Sequence, residues 1–249
     1  MRPAQIALAA ALCSGCSAQI SDGRDPSLGG ITTPDAGTGT GSGPAGDAGP
    51  AGCTRRAVYL NFDGQVLSQG PSDATLGQAQ WMNIPTGVAP RYRNTDTDRD
   101  PAIQTIVDGV TRQLARFPIT VTRIRPSAGN YVMIVYGGSA SAVGSSFNGA
   151  VNQLDCGDSR PNDVAWIGDS VTGQRAINTT IGAIGFALGL TATTDPRDCM
   201  CSWDNGCRSD NSAPCTLGSP IARDPQANQR CAGTTSQDEV AALHTAFCQ

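Results

Sequence analysis

Residues 175–201 read RAINTTIGAIGFALGLTATTDPRDCMC, and the rest of the chain is organised around them. The middle, 181–190, is uncharged and mostly apolar, with Gly182, Gly185 and Gly189 along it. Crossing a bilayer takes about 20 such residues, so this run predicts a helix buried in a globular core. Each glycine weakens a helix by about 1 kcal/mol relative to alanine. What glycine offers in return is close approach of another backbone or a bulky side chain, so tertiary packing must hold this helix.

The same stretch resembles the zinc-site helix of metzincin-like metallopeptidases, in particular secreted peptidase-like proteins of myxobacterial type. Such helices read His-Glu-x-Gly-His-x-Leu-Gly-Leu-x-His, followed by an Asp-Pro-type segment and a methionine turn. Gly185, Ala187-Leu188-Gly189-Leu190, Asp195-Pro196 and Asp198-Cys199-Met200 fit that frame. Gly182, Phe186 and Ala192 stand where the three histidines belong, and Ala183 stands where the general-base glutamate belongs. The resemblance spans residues 57–200. It implies an α/β (α+β) domain with a zincin-like twisted mixed sheet, two main helices and a disulfide-rich C-terminal part. It also implies a peptidase-like fold without peptidase chemistry, in which the Phe186 ring fills the emptied metal position.

The residue inventory supports the second point independently. A catalytic zinc needs about three protein ligands and a base for its water. The whole chain holds one histidine, His244, and one glutamate, Glu239, both near the C-terminus and five residues apart. That spacing puts them on different faces of a helix. All 17 basic residues are arginine. Without lysine there is no Walker-A loop and no Schiff-base or Ser-Lys chemistry. The arginines are scattered and the net charge is −4, a pattern that argues against nucleic-acid binding.

Upstream, the chain opens MRPAQIALAAALCSGC. One charge, a short apolar core over residues 6–12 and small residues before Cys16 predict a signal peptide over 1–15. Ser14-Gly15-Cys16 resembles a lipobox, with Cys13 at the position usually held by leucine. It implies lipidation of Cys16, a membrane anchor and an outer-membrane or cell-surface lipoprotein of a Gram-negative bacterium; the alternative is plain secretion. Residues 16–52 are rich in Gly, Pro, Ala and Thr, and such a segment buries too little to offset its ordering entropy. It reads as a flexible tether.

The domain proper is expected over 53–249. Residues 57–62 alternate as a strand that stops at Asp63-Gly64. Residues 65–95 read as a loop anchored by Trp81. Asp100-Pro101 opens a helix whose apolar face is Ile103, Ile106, Val107, Val110 and Leu114. Strands follow over 119–125 and 131–136, then a Gly/Ser-rich loop, a short strand over 164–167 and the central helix from Thr172. Beyond Asp195 the chain is rich in loops and cysteines, and Ser236-Gln-Asp-Glu reads as a capping box for a last helix carrying Val240, Leu243 and Phe247 inward.

Eight cysteines lie beyond the leader: Cys53, Cys156, Cys199, Cys201, Cys207, Cys215, Cys231 and Cys248. In an exported chain an even set predicts four disulfides, whose pairing the spacing leaves open. The rival is a thiolate zinc site from Cys199, Cys201, Cys207 and Cys215. Asn94, Asp96, Asp98 and Asp100 alternate like a calcium loop but lack its glycine and its final acid, where Thr105 sits. His244 and Cys248 stand one turn apart, and Asp63, Asp155, Asp158, Asp163 and Asp169 are the carboxylates available for two-acid glycosidase chemistry. The simpler readings are an acidic lead-in to a helix N-terminus for the first set, with calcium as the alternative, a surface His244 beside a disulfide-bonded Cys248, and turn-forming aspartates for the rest.

The expectation is therefore a non-catalytic lipoprotein on a metallopeptidase-like scaffold, with a cleft for a peptide or protein partner. Two other classes stand beside it. One is a hydrolase with relocated ligands such as Asp195 or Asp198; the other is an inert structural surface protein.

Overall fold

The computed structural model describes residues 56–201, 207, 209–226 and 230–248. The leader, Cys16, the tether and Cys53 lie outside the described residues.

The central sheet is built on β6 (Tyr131–Tyr136), a strand buried at every position. Its run YVMIVY serves two cores at once, because alternate side chains point to opposite faces. Val132, Ile134 and Tyr136 join the core that also holds the helices, whereas Tyr131, Met133 and Val135 join a second core on the far side. Around β6 stand β1 (Ala57–Asn61), β5 (Thr120–Thr122), β7 (Ala150–Val151) and β8 (Asp163–Ile167), in the order β5-β1-β6-β8-β7. All pairings are parallel except β7 against β8, which is antiparallel. The mixed α/β architecture expected from the strand and helix order is present.

One face carries α1 (Arg99–Leu114) and α3 (Gly173–Ala187). The apolar stripe of α1 lies inward, with Ile103, Ile106, Val110 and Leu114 all at most 1 % exposed. Gly109 lets Ile177 of α3 seat against the α1 backbone. Phe62 and Tyr136 stack at 4.2 Å beneath the helices. The Tyr136 hydroxyl donates to Thr180 Oγ1 at 2.6 Å, since that hydroxyl is itself donated to Ala176 O. Each large side chain buried here contributes about 1.5–3 kcal/mol relative to exposure, which offsets the glycines of α3.

The other face is covered by a small sheet, and here the structure corrects the sequence reading. Residues 65–95 are not a loop but contain β2 (Gln65–Gln69), β3 (Gln78–Ala79) and β4 (Thr86–Ala89), ordered β3-β2-β4. Leu67, Ala79, Met82 and Ala89 pack from this layer onto Met133 and Trp166. Trp81 does anchor the segment, donating Nε1–H to Val164 O at 2.9 Å. Strands of two to five residues with single inward apolar groups carry too little period-2 pattern to be read from sequence.

Two helix starts also differ. In α1 the N-cap is Asp98, with Arg99 and Asp100 already helical. The capping box at Ser236 is absent: Ser236–Gln237 forms β10, pairing with β9 (Ile221–Ala222). The last helix, α4 (Glu239–Ala246), is capped instead by Asp238, which accepts from Ala241 N at 2.9 Å. Glu239 does not reach back to the cap, because its carboxyl is drawn inward to Gly218 N at 2.7 Å. Residues 137–149 contain α2 (Ala140–Val143), a single short turn of helix.

Candidate functional site

Helix α3 ends where Leu188 caps it and Gly189 turns the chain at φ +89°. The backbone then doubles back beneath the helix. Thr193 N donates to Met200 O and Asp198 Oδ1 accepts from Met200 N at 2.7 Å, closing the turn 195–200. This turn seats against the glycine side of α3. A Cβ on Gly182 would lie 2.6 Å from Cys199 O, and one on Gly185 would collide with Met200 Sδ. Both glycines are thus required by close approach.

Cysteines hold this arrangement. Cys199–Cys215 and Cys201–Cys207 are disulfides, as is Cys156–Cys231, and Cys248 is also disulfide-bonded. The four cysteines of the rival zinc site are therefore spent in two bridges. From α3, Asn178 ties in the same loop: its side-chain amide donates to Ala213 O at 2.9 Å and its carbonyl oxygen accepts from Cys215 N at 3.1 Å.

Of the positions matching the zinc-site motif, the structure brings Gly182, Ala183 and Phe186 to one cleft, beside Asp198, Cys199 and Cys201. It leaves a cavity of about 30 Å³, room for one or two waters. What closes the Gly182 position is the Cys199 carbonyl, while Phe186 is half-buried in the wall. Ala192 is not part of this cleft; its carbonyl accepts from Asp224 N at 2.7 Å. Met200 is wholly buried beneath Gly185.

A second, larger cavity of about 540 Å³ adjoins the first and shares Ala150, Thr179 and Ser209 with it. It runs past the edge strand β7 between residues 146–148, the first turns of α3 and Cys207, Ser209 and Asn211. Among its described lining residues Arg175 is the one charged side chain.

Behind the turn lies a polar cluster that sequence reasoning missed. Glu239 is 0 % exposed and Asp198 1 %. Glu239 accepts from Gly218 N at 2.7 Å and from Gln237 Nε2 at 2.8 Å, and Asp198 Oδ1 accepts from Thr193 Oγ1 at 3.0 Å. Asp198 Oδ2 is buried and receives no N–H or hydroxyl among the described residues. The neighbouring acid is Glu239, whose carboxyl lies within side-chain hydrogen-bonding reach of Asp198. Burial first, and then the Asp198 charge, push Glu239 up to about 8; burial likewise raises Asp198. Two carboxyls in contact and out of water hold one proton between them. The network continues through Gln237 and Thr191 to Arg223, whose guanidinium donates to Thr191 Oγ1 at 2.6 Å and to Cys231 O at 3.0 Å. The singular glutamate of the chain was the signal, but only the fold shows that it is buried.

The remaining candidates disperse. Arg93 donates to Asp96 and Asp98 at 2.6 and 2.8 Å, and Arg99 meets Asp63 and Asp100 at 2.9 and 3.2 Å, so guanidinium groups occupy the calcium-like acids. Asp163 and Asp155 engage Arg160, Asp158 engages Arg56 in a buried pair at 2.7 Å, and Asp169 accepts from two backbone N–H groups. Asp195 pairs with Arg197 at the surface. His244 is exposed on α4, 5.0 Å from the Phe117 ring. Among the described residues no group of three or more His, Cys, Asp or Glu stands where it would hold a metal ion. No family model matches this chain, and no curated protein matches its sequence.

Proposed function

We propose that this chain is an exported, non-catalytic binding protein on a metzincin-like scaffold, tethered through a lipid on Cys16 and offering a peptide- or protein-binding cleft beside β7. One observation carries it. Gly182 and Phe186, at two metal-ligand positions, and Ala183, at the general-base position, carry no ligating or basic side chain, and the Cys199 carbonyl is packed onto the first of them, whereas the adjoining groove stays open. The scaffold assignment is supported by a sheet of parallel strands with one antiparallel edge lying beside the helix that bears the motif frame. The outer edge of β7 is unpaired among the described residues, and an open edge is a place where an extended peptide adds as a strand.

Export accords with the disulfides, which persist in oxidising compartments. Among the described residues no helix is long and apolar enough to cross a membrane, so attachment would rest on the lipid. A relocated hydrolase draws no support: Asp198 is 1 % exposed and bonded to Thr193 and Met200 N, and Asp195 is bonded to Arg197. An open groove counts against an inert structural role.

The test is a screen of displayed peptides against the mature protein made in an oxidising compartment, alongside Thr179→Trp, which blocks the junction of the two cavities. Enrichment on wild type that disappears in the variant is expected. Peptide cleavage abolished by chelator would overturn the proposal.

A further inference from the structure

We propose that the groove beside β7 recognises a carboxylate on its peptide ligand, with Arg175 as the anchoring residue; this rests on reading the groove as a ligand site. Its volume, about 540 Å³, falls within the about 300–1,000 Å³ of ligand pockets. The lining is uneven in a way that selects chemistry. Phe147 is 47 % exposed there, a large ring left in contact with water. Among the described residues of the lining Arg175 is the sole charge, and no carboxylate lines the groove with it.

Most other described arginines are engaged. Arg56, Arg93, Arg99, Arg160 and Arg197 pair with aspartates, and Arg125 and Arg223 donate to backbone carbonyls. Arg175 has no hydrogen-bond or ion-pair partner among the described residues. Its guanidinium stands at the groove wall, 3.9 Å from where a Cβ on Gly149 would lie. A planar fork of donors matches a carboxylate in bidentate fashion. Cation and aromatic ring together fit a peptide that presents a carboxylate next to an apolar side chain.

The carboxylate has two sources, a chain terminus or an Asp/Glu side chain, and both are probed on the full mature chain. Fluorescent decapeptide pools of four kinds are titrated: free C-terminal acids lacking Asp and Glu, the same sequences amidated, amidated pools containing Glu, and amidated pools with Gln in place of Glu. At least one acid-bearing pool is expected to bind about tenfold or more tighter than its neutral counterpart. Arg175→Gln should erase that preference while leaving the melting temperature unchanged, because the side chain is exposed and unpaired among the described residues. Equal binding of acid and neutral pools, or a preference that survives Arg175→Gln, overturns the assignment of Arg175. If that binding is still lost in Thr179→Trp, the groove itself stands. No binding of any pool to wild type overturns both proposals together.

Discussion

Gly182 backs directly onto the carbonyl of Cys199, so that a Cβ at 182 would lie 2.6 Å from that oxygen. A metal ligand at this position would have to displace a disulfide-held turn. Gly182→His is therefore expected to lower stability by about 1–3 kcal/mol through overpacking, read as a fall of several degrees in melting temperature. Adding Phe186→His and Ala192→His is expected to give no stoichiometric zinc, since Ala192 is pinned outside the cleft by Asp224. Elemental analysis showing one equivalent of zinc in a stable triple variant would refute this.

Chelation supplies a simpler check. The turn beneath α3 is held by Cys199–Cys215, by Asp198 on Met200 N and by Asn178 on Cys215 N. None of these contacts involves a metal, so EDTA is expected to leave the melting temperature of the intact protein unchanged. A substantial drop on calorimetry would contradict it.

Removing the disulfide should have the opposite outcome. Cys199–Cys215 closes a sequence separation of 16, and a loop of about that size is worth about 3 kcal/mol of unfolded-state entropy. The double substitution Cys199→Ala with Cys215→Ala is expected to lower the melting temperature by roughly 6–12 °C. It should also loosen the 30 Å³ cleft, detectable as faster amide exchange at Gly182 and Ala183.

The Asp198–Glu239 pair makes stability depend on pH. Glu239 rises from its ordinary 4.5 to about 8 in the folded chain. Across that window the native state keeps a proton that the unfolded chain has released. Stability is thus full below about 4.5, falls as pH rises, and levels off above about 8. Asp163, raised to about 7 chiefly by burial, acts in the same direction, so the variant Glu239→Gln is needed to separate them. Its neutral amide is expected to cost about 1 kcal/mol at pH 5 and to flatten the fall by up to about 1.4 kcal/mol per pH unit. Denaturant titrations that run parallel for both proteins between pH 5 and 8 would rule the pair out.

Long apolar elements were legible because their signals are local. The period of Ile103, Ile106, Val110 and Leu114 marked α1, and the unbroken run YVMIVY marked β6 with the bounds it has in the structure. The small sheet was hidden because β2 and β4 pair through residues such as Val66 and Val88, which stay 60 % and 52 % exposed. Ser236 had the right chemistry for a cap, but pairing of β10 with β9 shifted the helix start to Asp238.

The sequence by itself determined which chemistry is missing. One histidine, one glutamate and no lysine are counts, and no fold turns Gly182 or Ala183 into a ligand. It also determined that most of residues 181–190 are buried, since so apolar a run has nowhere else to go. Only the tertiary structure decided what packs against Gly182, where the single glutamate sits and which residues form the groove. Those outcomes join segments far apart in the chain, Gly182 with Cys199, Asp198 with Glu239 and Phe147 with Arg175. Such meetings are set by disulfide connectivity and by how the layers pack, and neither leaves a period in the sequence.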